Sequence, residues 1–277
     1  MKRLMKHTLG QLLATTGLYR QYLRDKAIIV LFHRVDSRLK GDALTATEEE
    51  FEEWCRFFKD RFTVVGVSEL LGKVRRREPI GLHLAITFDD GYLDNATVAA
   101  PLLRQLGLPG CFYVATEFIE SERVPWWDEG LPVKPEWMTW EQVRDLHDQG
   151  FEIGSHTMNH VDMGQVDQDE AERELAGARD RLRKELGVDV PLFSYPYGRR
   201  DNISPENLTL VRRAGYESCM SAHGGFVTAD TDLFNVKRVP ISRWFTSPYQ
   251  FLWEASNSAR HVDRASLRWE GGDKIPS

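Results

Sequence analysis

At 277 residues and 42% hydrophobic content, the chain is long enough for one large α/β domain with an ample core. Its formal net charge of −6, from 36 Lys and Arg against 42 Asp and Glu, excludes a general nucleic-acid binder. Cys55, Cys111 and Cys219 are too few and too widely spaced for a disulfide framework; they read as reduced core residues, which suits a cytoplasmic compartment.

Residues 1–26 interleave Lys2, Arg3, Lys6, Arg20, Arg24 and Lys26 with Leu4, Leu9, Leu12, Leu13, Leu18 and Tyr22 at partly helical spacing. The segment has neither the unbroken apolar stretch nor the small-residue cleavage site of a secretory signal, and no run reaches membrane-spanning length. It is expected to be an amphipathic helix with two possible destinations: peripheral contact with the inner membrane face, or the wall of the domain that follows.

From residue 27 strands and helices alternate. Residues 27–32 form an unbroken apolar run, as a strand buried on both faces requires, and end in His33. Thr47 and Glu50 form a capping box for a helix through Phe58. A strand over 62–67, a helix over 68–77, a strand from 83, a helix over 94–105 and a strand over 111–115 follow. Residues 117–137 make the longest irregular connection, holding Trp126, Trp127, Trp137 and three prolines. Thr139 and Gln142 cap the next helix, to 149. Strands over 151–155, 192–195, 216–220 and 236–239 then alternate with helices over 167–186 and 205–214. This alternation predicts a single α/β domain whose seven or eight parallel strands close into a barrel. It spans 27–255, between the amphipathic segment 1–26 and a loosely held polar tail, 256–277.

Three motifs stand at or just after predicted strand ends, which an α/β barrel gathers on one face. The first is Thr87-Phe88-Asp89-Asp90-Gly91. Two adjacent carboxylates repel unless a positive charge lies beside them, and a divalent metal supplies one, although Asp-Asp-Gly is also an ordinary surface-turn composition. The second is the pair His156 and His160, four residues apart, a spacing that one helical turn would direct at a single metal. A zincin protease would need Glu where Thr157 stands. With one Asp as third ligand the set suits Zn²⁺, with Co²⁺ or Fe²⁺ as alternatives. The third is the turn Tyr195-Pro196-Tyr197-Gly198.

In this order, and over residues 27–243, the motifs resemble the polysaccharide deacetylase (NodB-homology) family. The resemblance implies a distorted, TIM-barrel-like (β/α) fold and a metal-dependent hydrolase of carbohydrate metabolism that removes N- or O-acyl groups from sugars. It implies Asp89 as catalytic base, Asp90, His156 and His160 as metal ligands, and the Tyr197 N–H as an oxyanion donor. The chemistry is coherent, since a divalent metal acidifies water and polarises the acyl carbonyl while a neighbouring carboxylate takes a proton.

The chain departs from the family in two places. Where many members carry an Arg that orients the catalytic Asp, this chain has Ser194, and Arg238 is a candidate substitute. Where many carry a C-terminal His as general acid, residues 236–241 offer none. His33 ends the first strand, beside the last in a closed barrel, and is the candidate acid, with His223 as rival. Trp126, Trp127, Trp137 and Trp140 either stack on sugar rings or form a small core beneath the long loop. The expected substrate is a glycan or glycan precursor, such as a lipid- or nucleotide-linked N-acetylated sugar, at a cytoplasmic or inner-membrane location. An aminosugar deformylase and a glycan-binding protein without turnover are the alternatives. The sequence leaves the oligomeric state open.

Overall fold

The computed structural model of the chain describes residues 2–242 and 244–260. Helices α1 (Lys2–Thr16) and α2 (Tyr19–Tyr22) precede strand β1 (Ile28–Phe32), and the short strands β2 (Arg34–Val35) and β3 (Thr45–Ala46) pair with each other. There follow α3 (Glu48–Arg61), β4 (Thr63–Val64), α4 (Val67–Arg75), β5 (His83–Phe88), α5 (Ala100–Leu106), β6 (Cys111–Val114), α6 (Trp140–Asp148) and β7 (Glu152–Ser155). The chain continues through α7 (Gln168–Leu186), β8 (Leu192–Ser194), α8 (Pro205–Arg213), β9 (Ser218–Met220), β10 (Val239–Pro240) and α9 (Pro248–Arg260).

The main sheet is parallel throughout and runs β10-β1-β5-β6-β7-β8-β9, with β4 added beside β5. Val236 bridges Met220 of β9, and three residues later Val239 pairs with Val30 of β1. One short segment thus joins the last strand to the first, and the sheet curves into a distorted barrel. The apolar strand β1 is buried along its whole length, as its sequence requires. Its alternate residues divide between two cores: Val30 and Phe32 pack outward toward α3, while Ile29 packs inward with Ala85, Cys111 and Met220. Phe32, Phe88 and Phe112 stack in series, with centroids 5.7 and 4.8 Å apart. All three cysteines are buried free thiols.

Several predicted boundaries move, each for a tertiary reason. The strand expected over 62–67 keeps only Thr63 and Val64, because α4 already starts at Val67. Its first N–H groups are capped from β7, where the Glu152 carboxylate accepts from Val67 (2.6 Å) and Ser68 (2.8 Å). The helix expected over 94–105 opens as a π-helical turn, Asn95–Ala99, because Pro101 has no N–H to continue the regular ladder. Residues 256–260, expected in the tail, belong instead to α9, which extends to Arg260 and buries Phe251, Leu252, Ala255 and Ser256. Residues 261–277 of that tail lie outside the described residues. Of the two destinations open to segment 1–26, packing against the domain is observed: α1 buries Gly10, Leu13 and Ala14, with Gly10 against the Tyr249 backbone of α9.

Candidate active site

Asp89 follows β5 directly and its N–H still donates to Phe32 O (3.1 Å), so it stays in register with β1. The chain then reverses through left-handed backbone at Asp90 (φ 78°) and Gly91 (φ 96°), which turns both carboxylates toward one site. A side chain at Gly91 would also press on Ile119, whose Cδ1 lies 3.0 Å from the Cβ position. His156 follows β7 in the same way. The expected helical turn between His156 and His160 is absent. Left-handed Thr157 (φ 63°) and His160 (φ 55°) instead shape a loop, which Glu174 of α7 supports by accepting the N–H groups of Met158 (2.9 Å) and Asn159 (2.8 Å). A residue spacing that mimics one helical turn is therefore met by a loop.

His156 Nδ1 bonds to Ser194 O (2.8 Å), which directs Nε2 at Asp90 Oδ1, 3.3 Å away. His160 Nε2 also lies 3.3 Å from that oxygen. The three ligand atoms are buried and within 4.8 Å of one another. Two donors bound at about 2.0–2.2 Å to one tetrahedral ion stand roughly 3.3–3.6 Å apart, which both Asp90–imidazole spacings match, and the three residues together could hold a single divalent cation. Asp90 Oδ1 is buried without a hydrogen-bond donor of good geometry, as an oxygen reserved for a metal would be. Burial alone would raise the Asp90 pKa, but the imidazoles of His156 and His160 outweigh it and hold the carboxyl well below its usual range.

Asp89 stands beside this group, its Oδ2 3.8 Å from His156 Nε2. It is gripped by Arg238, which donates through Nη1 to Oδ1 (2.7 Å) and through Nη2 to Oδ2 (2.6 Å). Ser194 Oγ completes the arrangement, donating to Asp89 Oδ2 (3.1 Å) and accepting from Arg238 Nη2 (2.8 Å). A small side chain at 194 leaves room for a guanidinium that arrives from the closing segment of the barrel. Arg238 is itself fully buried and also donates to Ser221 O (3.0 Å) and Thr87 Oγ1 (3.2 Å). Burial would raise Asp89, and the charge of Arg238 reverses the effect, so the carboxyl sits below its ordinary pKa.

A cleft of about 390 Å³ opens above these residues, lined among others by His33, Trp126, Trp127, Tyr197, Asp162 and Arg199. His33 is partly open to it; burial lowers its pKa, with Asp90 and Asp89 opposing. His223 is outside the lining, and its Nε2 meets Asn235 Oδ1 at 3.2 Å. Burial lowers His160, whereas for His156 the two aspartates outweigh burial and raise it. Tyr197 reaches the cleft on left-handed backbone (φ 61°), and its hydroxyl accepts from Trp126 Nε1 (3.3 Å). The tryptophan cluster divides. Trp126, 49% exposed, and Trp127, its ring 4.5 Å from that of His160, face the cleft. Trp137 stacks on buried Tyr92 and Trp140 lies in the main core.

One set of residues had no signal in the sequence. Arg34, next to His33 and fully buried, pairs with Asp128 of the long loop and donates to Asp42 (2.7 Å), Thr45 (2.9 Å) and the Tyr92 hydroxyl (3.2 Å). The same hydroxyl accepts from Trp127 Nε1 (2.9 Å) and donates to Asp128 (2.8 Å). Arg34 therefore fastens the loop that brings Trp126 and Trp127 to the cleft. Its partners are 8 to 94 residues away in sequence, beyond any local pattern.

Residues 77–219, just over half of the chain, match the family model described as polysaccharide deacetylase. The chain is 24% identical over 219 residues to a Bacillus subtilis (strain 168) protein provisionally named a polysaccharide deacetylase, YxkH, covering 78% of this chain and 72% of that one. It is 23% identical over 239 residues to the poly-beta-1,6-N-acetyl-D-glucosamine N-deacetylase of Escherichia coli (strain K12), covering 75% of this chain and 34% of that one. In fold it is similar to the Streptococcus pyogenes deacetylase PplD, solved with acetate, at a TM-score of 0.69 and 21% identity, over 82% of this chain and 96% of that one.

Proposed function

The chain belongs to the polysaccharide deacetylase family, a family of divalent-metal-dependent hydrolases acting on carbohydrates, and on that footing we propose residue roles and a substrate. Asp90, His156 and His160 hold the metal, taken to be Zn²⁺ with Co²⁺ or Fe²⁺ able to substitute, and Asp89 is the base. The substrate is an N-acetylated hexosamine within a glycan or glycan precursor. The observation that carries this reading is the buried Asp90–His156–His160 cluster with a second carboxylate, Asp89, held beside it but outside it.

When bound, the metal polarises the acyl carbonyl and acidifies water. Asp89, oriented by Arg238 and Ser194, takes the proton of the attacking water. The Tyr197 N–H, preceded by a proline that has none, is the donor assigned to the oxyanion. His33 gives a proton to the departing amine, which leaves poorly without one. Trp126 and Trp127 offer aromatic faces to the sugar ring. The two departures from the family pattern, at the Arg and at the C-terminal His, favour the binding-only alternative. Arg238 grips Asp89 and His33 lines the cleft, which removes that support. Release of acetate from N-acetylated sugars, lost on chelation and restored by Zn²⁺ or Co²⁺, tests the reading. Binding without release would overturn it, and release of formate alone would make the enzyme a deformylase.

Two variants separate the supporting roles. Arg238→Lys keeps a positive charge but cannot grip both oxygens. Its kcat is expected to fall about 10–100-fold at unchanged metal content; a normal kcat would show that Asp89 needs no such orientation. His33→Ala is expected to lower turnover about 10²–10³-fold without loss of metal. If His223→Ala were the damaging change and His33→Ala harmless, the acid would be His223.

Among the described residues no helix is long and apolar enough to cross a membrane. We place the enzyme on the cytoplasmic side, acting on a precursor at the inner membrane face, because residues 1–26 gather basic and apolar side chains together.

A further inference from the structure

We infer that the face of α1 turned away from α9 docks on an anionic lipid surface and that it does so at the end of the barrel where the cleft opens. This deepens the membrane placement above. α1 already buries one face, through Gly10, Leu13 and Ala14, and Gly10 is so close to α9 that a Cβ would stand 1.8 Å from Tyr249 O. The opposite face carries Leu4, Met5 and Leu12, which are 71%, 56% and 57% exposed. Thr8 and Thr15 lie between them on the helix surface, and α1 contains no acidic residue. A helix that presents a second apolar face to water calls for something to cover it.

Charge selects the partner. Residues 1–26 hold six Lys and Arg and one Asp in a chain of net charge −6, so positive charge is concentrated in the segment that carries this apolar face, although Lys6 pairs with Glu254 (2.5 Å) and Lys26 with Asp25 (2.7 Å). Lys2, Arg3, Arg20 and Arg24 are exposed. A second copy docked here about a two-fold axis would bring the two basic segments together and be repelled. An anionic bilayer attracts those cations and accepts the Leu and Met side chains into its interface.

Packing sets the orientation. Arg3 and Lys6 lie over the Trp244 ring at 5.9 and 5.8 Å, and His7 Nδ1 meets Ser247 Oγ at 2.7 Å. These partners follow directly on β10, whose C-terminal end is at the cleft rim, whereas Tyr22 meets Arg260 at the far end of α9 (5.2 Å). The first turn of α1 therefore stands at the level of the rim, and docking brings the cleft to the lipid surface. The matching substrate is a lipid-linked N-acetylated glycan; that step rests on the deacetylase reading, while the docking does not.

Co-sedimentation with phosphatidylcholine vesicles, with and without phosphatidylglycerol, tests the docking. The wild-type chain is expected to bind only the anionic vesicles and to be released by salt. The triple variant Leu4→Asp, Met5→Asp, Leu12→Asp changes only exposed positions, and its vesicle binding is expected to fall by about tenfold or more. Its melting temperature and its acetate release from a soluble N-acetylated oligosaccharide should match wild type. Absence of wild-type binding, or equal binding by the triple variant, would overturn the inference. So would a dimer, seen by light scattering, that the triple variant splits. If no sugar releases acetate, the deacetylase reading fails and the vesicle result still stands on its own.

Discussion

Asp89→Asn is expected to leave the metal in place and cut turnover by about 10⁴-fold, the upper end of what a positioned base contributes. An amide cannot take up a proton at neutral pH. The substitution also disturbs a buried ion pair, since Arg238 is bonded to both Asp89 oxygens and is itself fully buried. An Asn offers one acceptor and sets its NH₂ against the guanidinium, so some of the roughly 3–5 kcal/mol cost of breaking a buried pair is expected in the melting temperature. Assays run well below the new transition separate that loss from the chemical one. A double variant sharpens the separation: Asp89→Asn with Arg238→Met removes the unpaired charge and should regain stability without regaining rate. Single-turnover acetate release, measured beside metal content by elemental analysis, is the decisive observation. A rate for Asp89→Asn within tenfold of wild type would assign the base to another group.

The second large effect is expected from the metal ligands. His156→Ala, His160→Ala and Asp90→Ala each leave two donors where an open catalytic site uses three, and metal affinity should fall by more than about 100-fold. Turnover should fall with occupancy and recover in part when excess metal is supplied, which a purely structural lesion would not allow. His156→Ala carries an added cost, because Ser194 O loses its hydrogen-bond partner in a buried site. Full occupancy in all three variants by elemental analysis would refute the ligand assignment.

Much of this site could be anticipated because its parts are local. Asp89 and Asp90 are adjacent, His156 and His160 share one loop, and each motif follows an apolar run that reads as a buried strand. Parallel βα units then direct successive strand ends to one rim, so chemistry widely separated in sequence meets in space. The reason assigned to the histidine spacing was nevertheless wrong, since a loop with two left-handed residues replaces the helical turn. The tryptophans show the limit of composition: all four share one stretch of sequence, and only packing separates the two at the cleft from the two in the cores.

The sequence by itself determined the class of fold, the order of the strands that carry chemistry and the candidate metal-binding side chains, because each depends on period, end signals and neighbouring residues. Tertiary structure alone decided what orients and encloses them. Arg238 reaches Asp89 across 149 positions, Arg34 reaches Asp128 across 94, and Glu152 caps α4 from 85 residues away. Those contacts exist only once the sheet has curved and its last strand has met its first, and burial then makes each unpaired charge too costly to leave unmatched.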